Sequence, residues 1–275
     1  LQVHAFPVSN SHEHLKAIQD CAPENDYTVG WLDATAGGSG LGRGQIHAAK
    51  YLHEGDDPEP KKTMQVQYQT LPARMFGVFP KSIIHYFMAP FFFNQGVWLV
   101  NTAKYVASLR DSTYRQSHAA FHFLLDYIPN WELAYGSSGL IQHQSFLPKE
   151  SAEDAWKEML TLSQKRGMPS YLGVTKRHRP DKFLLSHAVD GFSLALDFKV
   201  SNGTRQQMHD MLQEFDKIVL KAGGRFYFAK NSETSPETAI QFLGEETVAR
   251  FRALKQRTDP NNLLESNLYR RVFGE

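Results

Sequence analysis

The chain has 275 residues, 41% of them hydrophobic and 12% aromatic, which suffices for a large core and excludes a disordered polypeptide. Thirty Lys and Arg against 29 Asp and Glu leave +1, so no single-sign field draws it to nucleic acid. The single cysteine, Cys21, excludes an intrachain disulfide and a cysteine zinc site, and suits a reducing, cytoplasmic setting.

Residues 1–6 alternate apolar and polar side chains as a half-buried strand does, and Pro7 is expected to end it. Asn10 and Glu13 stand at capping-box spacing before a helix whose apolar stripe is Leu15, Ala17, Ile18 and Cys21. Strands are expected over 27–34 and 45–53, joined by the glycine-rich run 37–44. The order is β-α-β-β. An acidic, proline-bearing connection over 54–60 and Lys61-Lys62 lead into an aromatic stretch between Phe76 and Tyr105, which holds Phe79, Tyr86, Phe87, Phe91, Phe92, Phe93 and Trp98. Pro80, Lys81, Pro90, Asn94 and Gln95 interrupt it, so no run of about 20 apolar residues spans a bilayer. Buried helices are the first expectation there; an apolar binding surface or a membrane-touching face is the alternative.

The first order then returns: a strand over 140–147, a helix over 152–166 capped by Ser151, and strands over 171–177 and 192–200. Thr204 and Gln207 suggest a capping box for a helix carrying Met208, Met211, Leu212, Phe215, Ile218 and Val219, ended by Gly223-Gly224. A strand over 225–229 follows, then a helix opened by Ser235-Pro236 and a helical tail. Two β-α-β-β series imply an α+β fold: a large antiparallel sheet from two ferredoxin-like halves, with helices on one face.

Most local motifs fail on chemistry. The 37–44 glycines lack a GxGxxG register and have Arg43-Gly44 where a phosphate loop needs Lys and Ser or Thr. Twelve histidines include neighbours such as His118 and His122 but no HExxH, so no metal site is expected. No GxSxG supplies a nucleophile. The strand over 140–147 is more telling: period two puts Gln142 and Gln144 on one face, either in solvent or as a hydrogen-bonding row that orients a hydroxyl-rich ligand. Lys176 and Lys230 each read as a solvated strand end, and Lys230 gains a role only beside a negative charge.

Several stretches, taken together in order, resemble a known family. The C-terminal signature runs from Gly223 through Tyr227 and Lys230 to Asn231-Ser232, then Thr258-Asp259-Pro260, Ser266, Leu268, Arg270 and Arg271. Before it stand Trp31-Leu32-Asp33-Ala34, Leu41-Gly42-Arg43-Gly44, Gln142-His143-Gln144, Val174-Thr175-Lys176 and Gly191-Phe192-Ser193-Leu194-Ala195-Leu196-Asp197-Phe198. The series resembles the FAD-linked oxidoreductases of the vanillyl-alcohol oxidase and p-cresol methylhydroxylase superfamily, in a branch acting on a polyprenyl-linked sugar. The resemblance implies an FAD cofactor held mainly by an N-terminal domain absent from this chain. Residues 1–222 would form the substrate-binding cap, with an aromatic-rich helical insertion at about 72–118, and residues 223–275 would pack on that flavin domain.

The resemblance assigns Tyr227 and Lys230 to the flavin, with Lys230 as the catalytic cation. It assigns Trp31, Gln142, Gln144, Lys176, Ser193 and Ala195 to the substrate. Ser193 and Ala195 depart from the branch, which carries asparagine and cysteine there, and His178 and Phe192 replace other aromatics, so the substrate contacts differ. The expected reaction is oxidation of an alcohol carbon by hydride transfer to flavin, on a small-molecule or lipid-linked sugar, with peripheral membrane contact through the aromatic segment. This chain alone is expected to be inactive. A non-catalytic binding module derived from such a cap, and a sterol-type reductase of the same superfamily, remain as alternatives.

Overall fold

The computed structural model describes residues 1–275 except 72, 76–77, 125–127, 202, 231–232 and 275. Phe76 of the aromatic stretch, and Asn231 and Ser232 of the C-terminal signature, lie outside the described residues. The chain order begins β1 (Gln2–Val8), α1 (Ser11–Cys21), β2 (Tyr27–Leu32), β3 (Gly44–Lys50), α2 (Asn94–Ser108) and β4 (Ser112–Arg115). It continues β5 (Leu140–Pro148), α3 (Ala152–Lys165), β6 (Leu172–His178), β7 (Gly191–Lys199), α4 (Arg205–Lys221) and β8 (Arg225–Phe226), then α5 (Pro236–Leu243), α6 (Glu245–Thr258) and α7 (Asn267–Val272).

One eight-stranded sheet runs β8-β5-β7-β6-β2-β3-β1-β4, every neighbouring pair antiparallel. In each half the first strand pairs with the third and the third with the second, so the halves repeat each other and meet at β2 and β6. This is the expected α+β arrangement. Helices α1, α3 and α4 carry the apolar stripes that bury Leu15, Ile18, Trp156, Met159, Leu160, Met211 and Phe215 against Leu32, Ile46, Leu194, Leu196 and Phe198 of one sheet face.

The halves are pinned where they meet. His14 on α1 is fully buried; its Nδ1 lies 3.0 Å from the Gly42 carbonyl and its Nε2 2.8 Å from the Thr175 hydroxyl. A carbonyl only accepts, so Nδ1 carries the proton and Nε2 accepts from Thr175. That contact passes over Gly30, where a Cβ would stand 2.1 Å from Thr175 Oγ1 and 2.5 Å from His14 Nε2, so only glycine fits.

Several local expectations change. Pro7 lies inside β1, opposite Gln45, because β4 covers only Gln2 to Ala5 and leaves β1 an edge beyond, where proline costs no ladder bond. Asn10 Oδ1 caps the Glu13 amide at 3.0 Å, but the Glu13 carboxylate takes the Ser9 amide, one residue before the capping-box position. Thr204 makes no cap; its hydroxyl meets Ser201 Oγ at 2.7 Å. Ser151 donates instead to the Ala222 carbonyl at 2.7 Å, which ties α3 to the end of α4. The strand expected over 225–229 stops at Phe226, and the Lys230 amide donates to the Tyr227 carbonyl in a turn, so Lys230 does not end a strand.

The aromatic stretch is not a set of buried helices. Helix α2 packs a narrow stripe of Gly96, Val97, Asn101 and Ser108 inward and leaves Trp98, Leu99, Val100 and Val106 exposed, with Phe79, Tyr86, Phe87, Phe91 and Phe93 exposed before it. Among the described residues no single helix is long and apolar enough to cross a membrane; residues 81–91 and 94–108 are two apolar pieces bent by 119°.

Burial pushes His14 down to about 4. A histidine whose folded value lies below its unfolded one stabilises fully above about pH 6.5, and that stability is lost as pH falls toward 4. Chemical denaturation at pH 7 and pH 4 should therefore show a loss of about 3 kcal/mol from this residue. His14→Gln should lack that part of the slope, and an unchanged slope would show that His14 does not titrate on unfolding.

Candidate active site

Period two sorts the strand residues into the helix-covered face and its opposite. On β5, His143 points toward α4, with Nε2 3.2 Å from Asp216, and Gln142 and Gln144 point the other way. Register then fixes their neighbours. Gln144, Ala195, Val174 and Trp31 form one row across four strands; Phe146, Ser193 and Lys176 form a second; Gln142, Asp197 and Leu172 a third. All six residues assigned to the substrate thus lie on one sheet face, opposite α1, α3 and α4. Four strands at 4.7–4.9 Å spacing separate Trp31 from Gln144 by about 15 Å, too far for both to touch one sugar ring.

The face is unevenly open. Lys176 is exposed, and Gln142 and Gln144 are half-buried. Ser193 is 2% exposed, with its hydroxyl 2.9 Å from His178 Nε2, and Ala195 is also buried. Burial, helped by the charges of Lys176, His187 and Arg177, pushes His178 down to about 4 and keeps its ring neutral. His178 and His187 pack on Phe146, and Tyr227 packs on His187 with centroids 4.8 Å apart. The Tyr227 amide donates to the Gln144 carbonyl at 3.2 Å, which extends β8 by one bond and sets the turn carrying Lys230 at the sheet rim beside β5.

Asp197 is the group that composition and motif reading overlooked. It lies opposite Gln142, is 1% exposed, and its Oδ1 accepts from Gln142 Nε2. Among the described residues its Oδ2 has no hydrogen-bond partner. Burial raises its carboxyl to about 6, against the opposing pull of Gln142 and the Lys230 charge. Period two signals it, since it stands two residues beyond Ala195 on the same strand. His187 and Tyr135 sit in irregular segments and leave no such pattern.

At the far end of the face the aromatic insertion is anchored by polar groups. Lys104 Nζ lies 4.0 Å from the centroid of the Trp31 ring, so α2 covers that indole. Asp33, fully buried after β2, accepts from the Thr35 amide and hydroxyl, from Arg43 Nε at 2.9 Å and from Asn101 Nδ2 at 3.2 Å. Arg43 also reaches the Thr102 hydroxyl at 3.0 Å. The glycine-rich 37–44 connection is therefore a clamp between the sheet and α2. Lys199 Nζ holds the Phe92 carbonyl at 2.7 Å, and Tyr171 donates to Asn94 Oδ1 at 3.0 Å.

The signature residues from Asp259 onward act structurally. Asp259 pairs with Lys255 and accepts the Leu263 and Leu264 amides at 2.9 Å each, which holds its carboxyl down at about 2. Ser266 caps α7 by accepting the Tyr269 amide, Arg270 pairs with Glu265, and Arg271 Nε donates to the Thr234 carbonyl.

Residues 146–272 match the family model of D-arabinono-1,4-lactone oxidase, an FAD-linked oxidase family. Over 274 residues the chain is also 27% identical to the decaprenylphosphoryl-beta-D-ribose oxidase of Mycolicibacterium smegmatis, covering 96% of this chain and 55% of that protein. It thus spans about half the length of that relative. A solved structure of FgChi7B overlaps 94% of this chain and 53% of its own at 11% identity, with a TM-score of 0.45. FAD is the cofactor that the family uses. Of the residues described here, Tyr227 and the exposed Lys230, at the two ends of one turn at the sheet rim, have the ring and the charge to meet the edge of an anionic reduced flavin.

Asp33→Ala should cost about 3–5 kcal/mol, because Arg43 would be left without its buried partner. Amide exchange should accelerate along α2 and the 37–44 connection more than along β5 and β7; uniform acceleration would contradict the clamp.

Proposed function

We propose that this chain forms the substrate side of an FAD-dependent oxidoreductase that oxidises the alcohol carbon of a sugar, free or carried on a polyprenyl phosphate. The observation that carries the reading is the joint placement of Gln142, Gln144, Lys176 and Asp197 on one sheet face, with the Tyr227 to Lys230 turn at its rim. The names of both matched proteins denote oxidases of sugar derivatives, which supports the same class.

Each residue has a role suited to its chemistry. The amides of Gln142 and Gln144 both donate and accept, and so can orient vicinal hydroxyls. Lys176, exposed at the end of that face, suits a phosphate as a mobile point charge. The buried Ser193 and Ala195 shape the floor between them. Bound flavin supplies the acceptor for the hydride. Lys230 then lowers the energy of the negative charge that accumulates at its own end of the face, an electrostatic contribution that grows as the reaction proceeds.

In this reading residues 1–222 hold the substrate, residues 223–275 return to a flavin-binding domain, and that domain lies outside these 275 residues. In the flavin-loaded full-length protein, Lys230→Met should slow anaerobic flavin reduction by a sugar alcohol about 100-fold. Unchanged single-turnover reduction would remove Lys230 from the reaction.

The exposed aromatics of the insertion complete the reading as the contact for a lipid tail or membrane surface. Tyr86, Phe87 and Trp98 are 70%, 63% and 50% exposed, and the exposed Phe79, Phe91 and Phe93 lie in the same stretch of chain, so the apolar surface there is grouped and not scattered. Phe87→Ser with Trp98→Ser should reduce co-flotation with phospholipid vesicles several-fold; equal flotation of variant and parent would count against lipid contact.

A further inference from the structure

We propose that Asp197 accepts the proton of the substrate hydroxyl during oxidation. The inference rests on the oxidoreductase reading above and assigns a step that Lys230, a cation, does not perform.

The carboxylate lies in the floor of the site face, 1% exposed, near the C-terminal end of β7. Gln142 satisfies Oδ1, and Oδ2 has no partner among the described residues. A buried carboxylate oxygen without a donor is costly, and an asparagine or leucine would serve the sheet better. The arrangement becomes favourable once an O–H donor enters beside Gln142, which is where a hydroxyl oriented by Gln142 and Gln144 arrives.

The surroundings leave Asp197 as the base. The ionisable groups facing it are Lys230 from the turn after β8 and Tyr135 from the turn over 131–135, with Tyr171, just before β6, stacked on Tyr135. Burial raises both phenols, and the nearby Asp197 charge raises Tyr135 further, so neither phenol gives a phenolate near neutral pH. His178, on the same face, is pushed down to about 4 and is engaged with Ser193. The Asp197 carboxyl is raised to about 6 by burial, which leaves it ionised at pH 7.5 yet a stronger base than an ordinary aspartate.

As the carbon gives its hydride to the oxidised flavin, the O–H bonding pair becomes the carbonyl π bond and the proton passes to Asp197 Oδ2. The products are a ketone or lactone-level carbonyl, two-electron-reduced flavin and a neutral carboxyl, which returns its proton to water.

The test uses the flavin-loaded full-length protein and Asp197→Asn, which preserves shape and should melt no lower than the parent at pH 7.5 because a buried charge is gone. Anaerobic flavin reduction by a sugar alcohol should rise with pH through a midpoint near 6 in the parent. The variant should be slower by roughly 100-fold or more, without that limb and with substrate affinity within threefold. Carbon-13 NMR of labelled aspartate should independently show one carboxyl titrating near 6, absent from Asp197→Asn and moved higher in Lys230→Met. Parent-like reduction by the variant, or no carboxyl titrating above 5, would overturn the assignment. A parent that no sugar alcohol reduces would instead overturn the oxidoreductase reading on which it rests.

Discussion

An antiparallel sheet has two faces, and here the main helical layer claims only one of them. Helices α1, α3 and α4 bury their apolar stripes against Leu32, Ile46, Leu194, Leu196 and Phe198. The strict two-residue alternation then sends Gln142, Gln144, Lys176, Ser193, Ala195 and Asp197 to the opposite side. A one-residue slip of β7 would put Asp197 into the helix-facing core and a leucine into the site. The hydrophobic packing of one face is therefore what holds the polar chemistry of the other in register.

That packing is reinforced where the halves meet. His14 reaches across the β2–β6 junction to Thr175 over a glycine that has room for nothing larger. On the other face, Asp33 gathers Arg43 and Asn101 and thereby fixes α2 over Trp31. Both are buried polar contacts with good geometry, the kind that specify one arrangement and penalise any partial one. Between them, the open part of the face is narrowed to the second half of the sheet, from Lys176 to Gln142.

Much of this is legible in the sequence because it rests on period. The β-α-β-β order, repeated, and the alternation along 140–147 and 192–200 give the sheet, its two halves and the shared face of Gln142 and Gln144. Asp197 falls on the same alternation, and only its lack of a sequence partner hides it. What the sequence does not carry is long-range pairing. Pro7 can stay in a strand only because β4 stops short of it, and Asp33 acquires its role only when Asn101, 68 residues away, arrives beside it. The aromatic insertion misleads for a related reason: apolar density suggests burial, but α2 has one narrow stripe with anything to pack against.

The most direct measurement is a structure of the flavin-loaded full-length protein with a non-reacting sugar alcohol bound. The account predicts the ligand on the Gln142, Gln144 and Asp197 face, one hydroxyl within hydrogen-bond distance of Asp197 Oδ2, and the flavin edge beside Tyr227 and Lys230. A ligand seated on the helix-covered side, or a flavin remote from the Tyr227 to Lys230 turn, would contradict it.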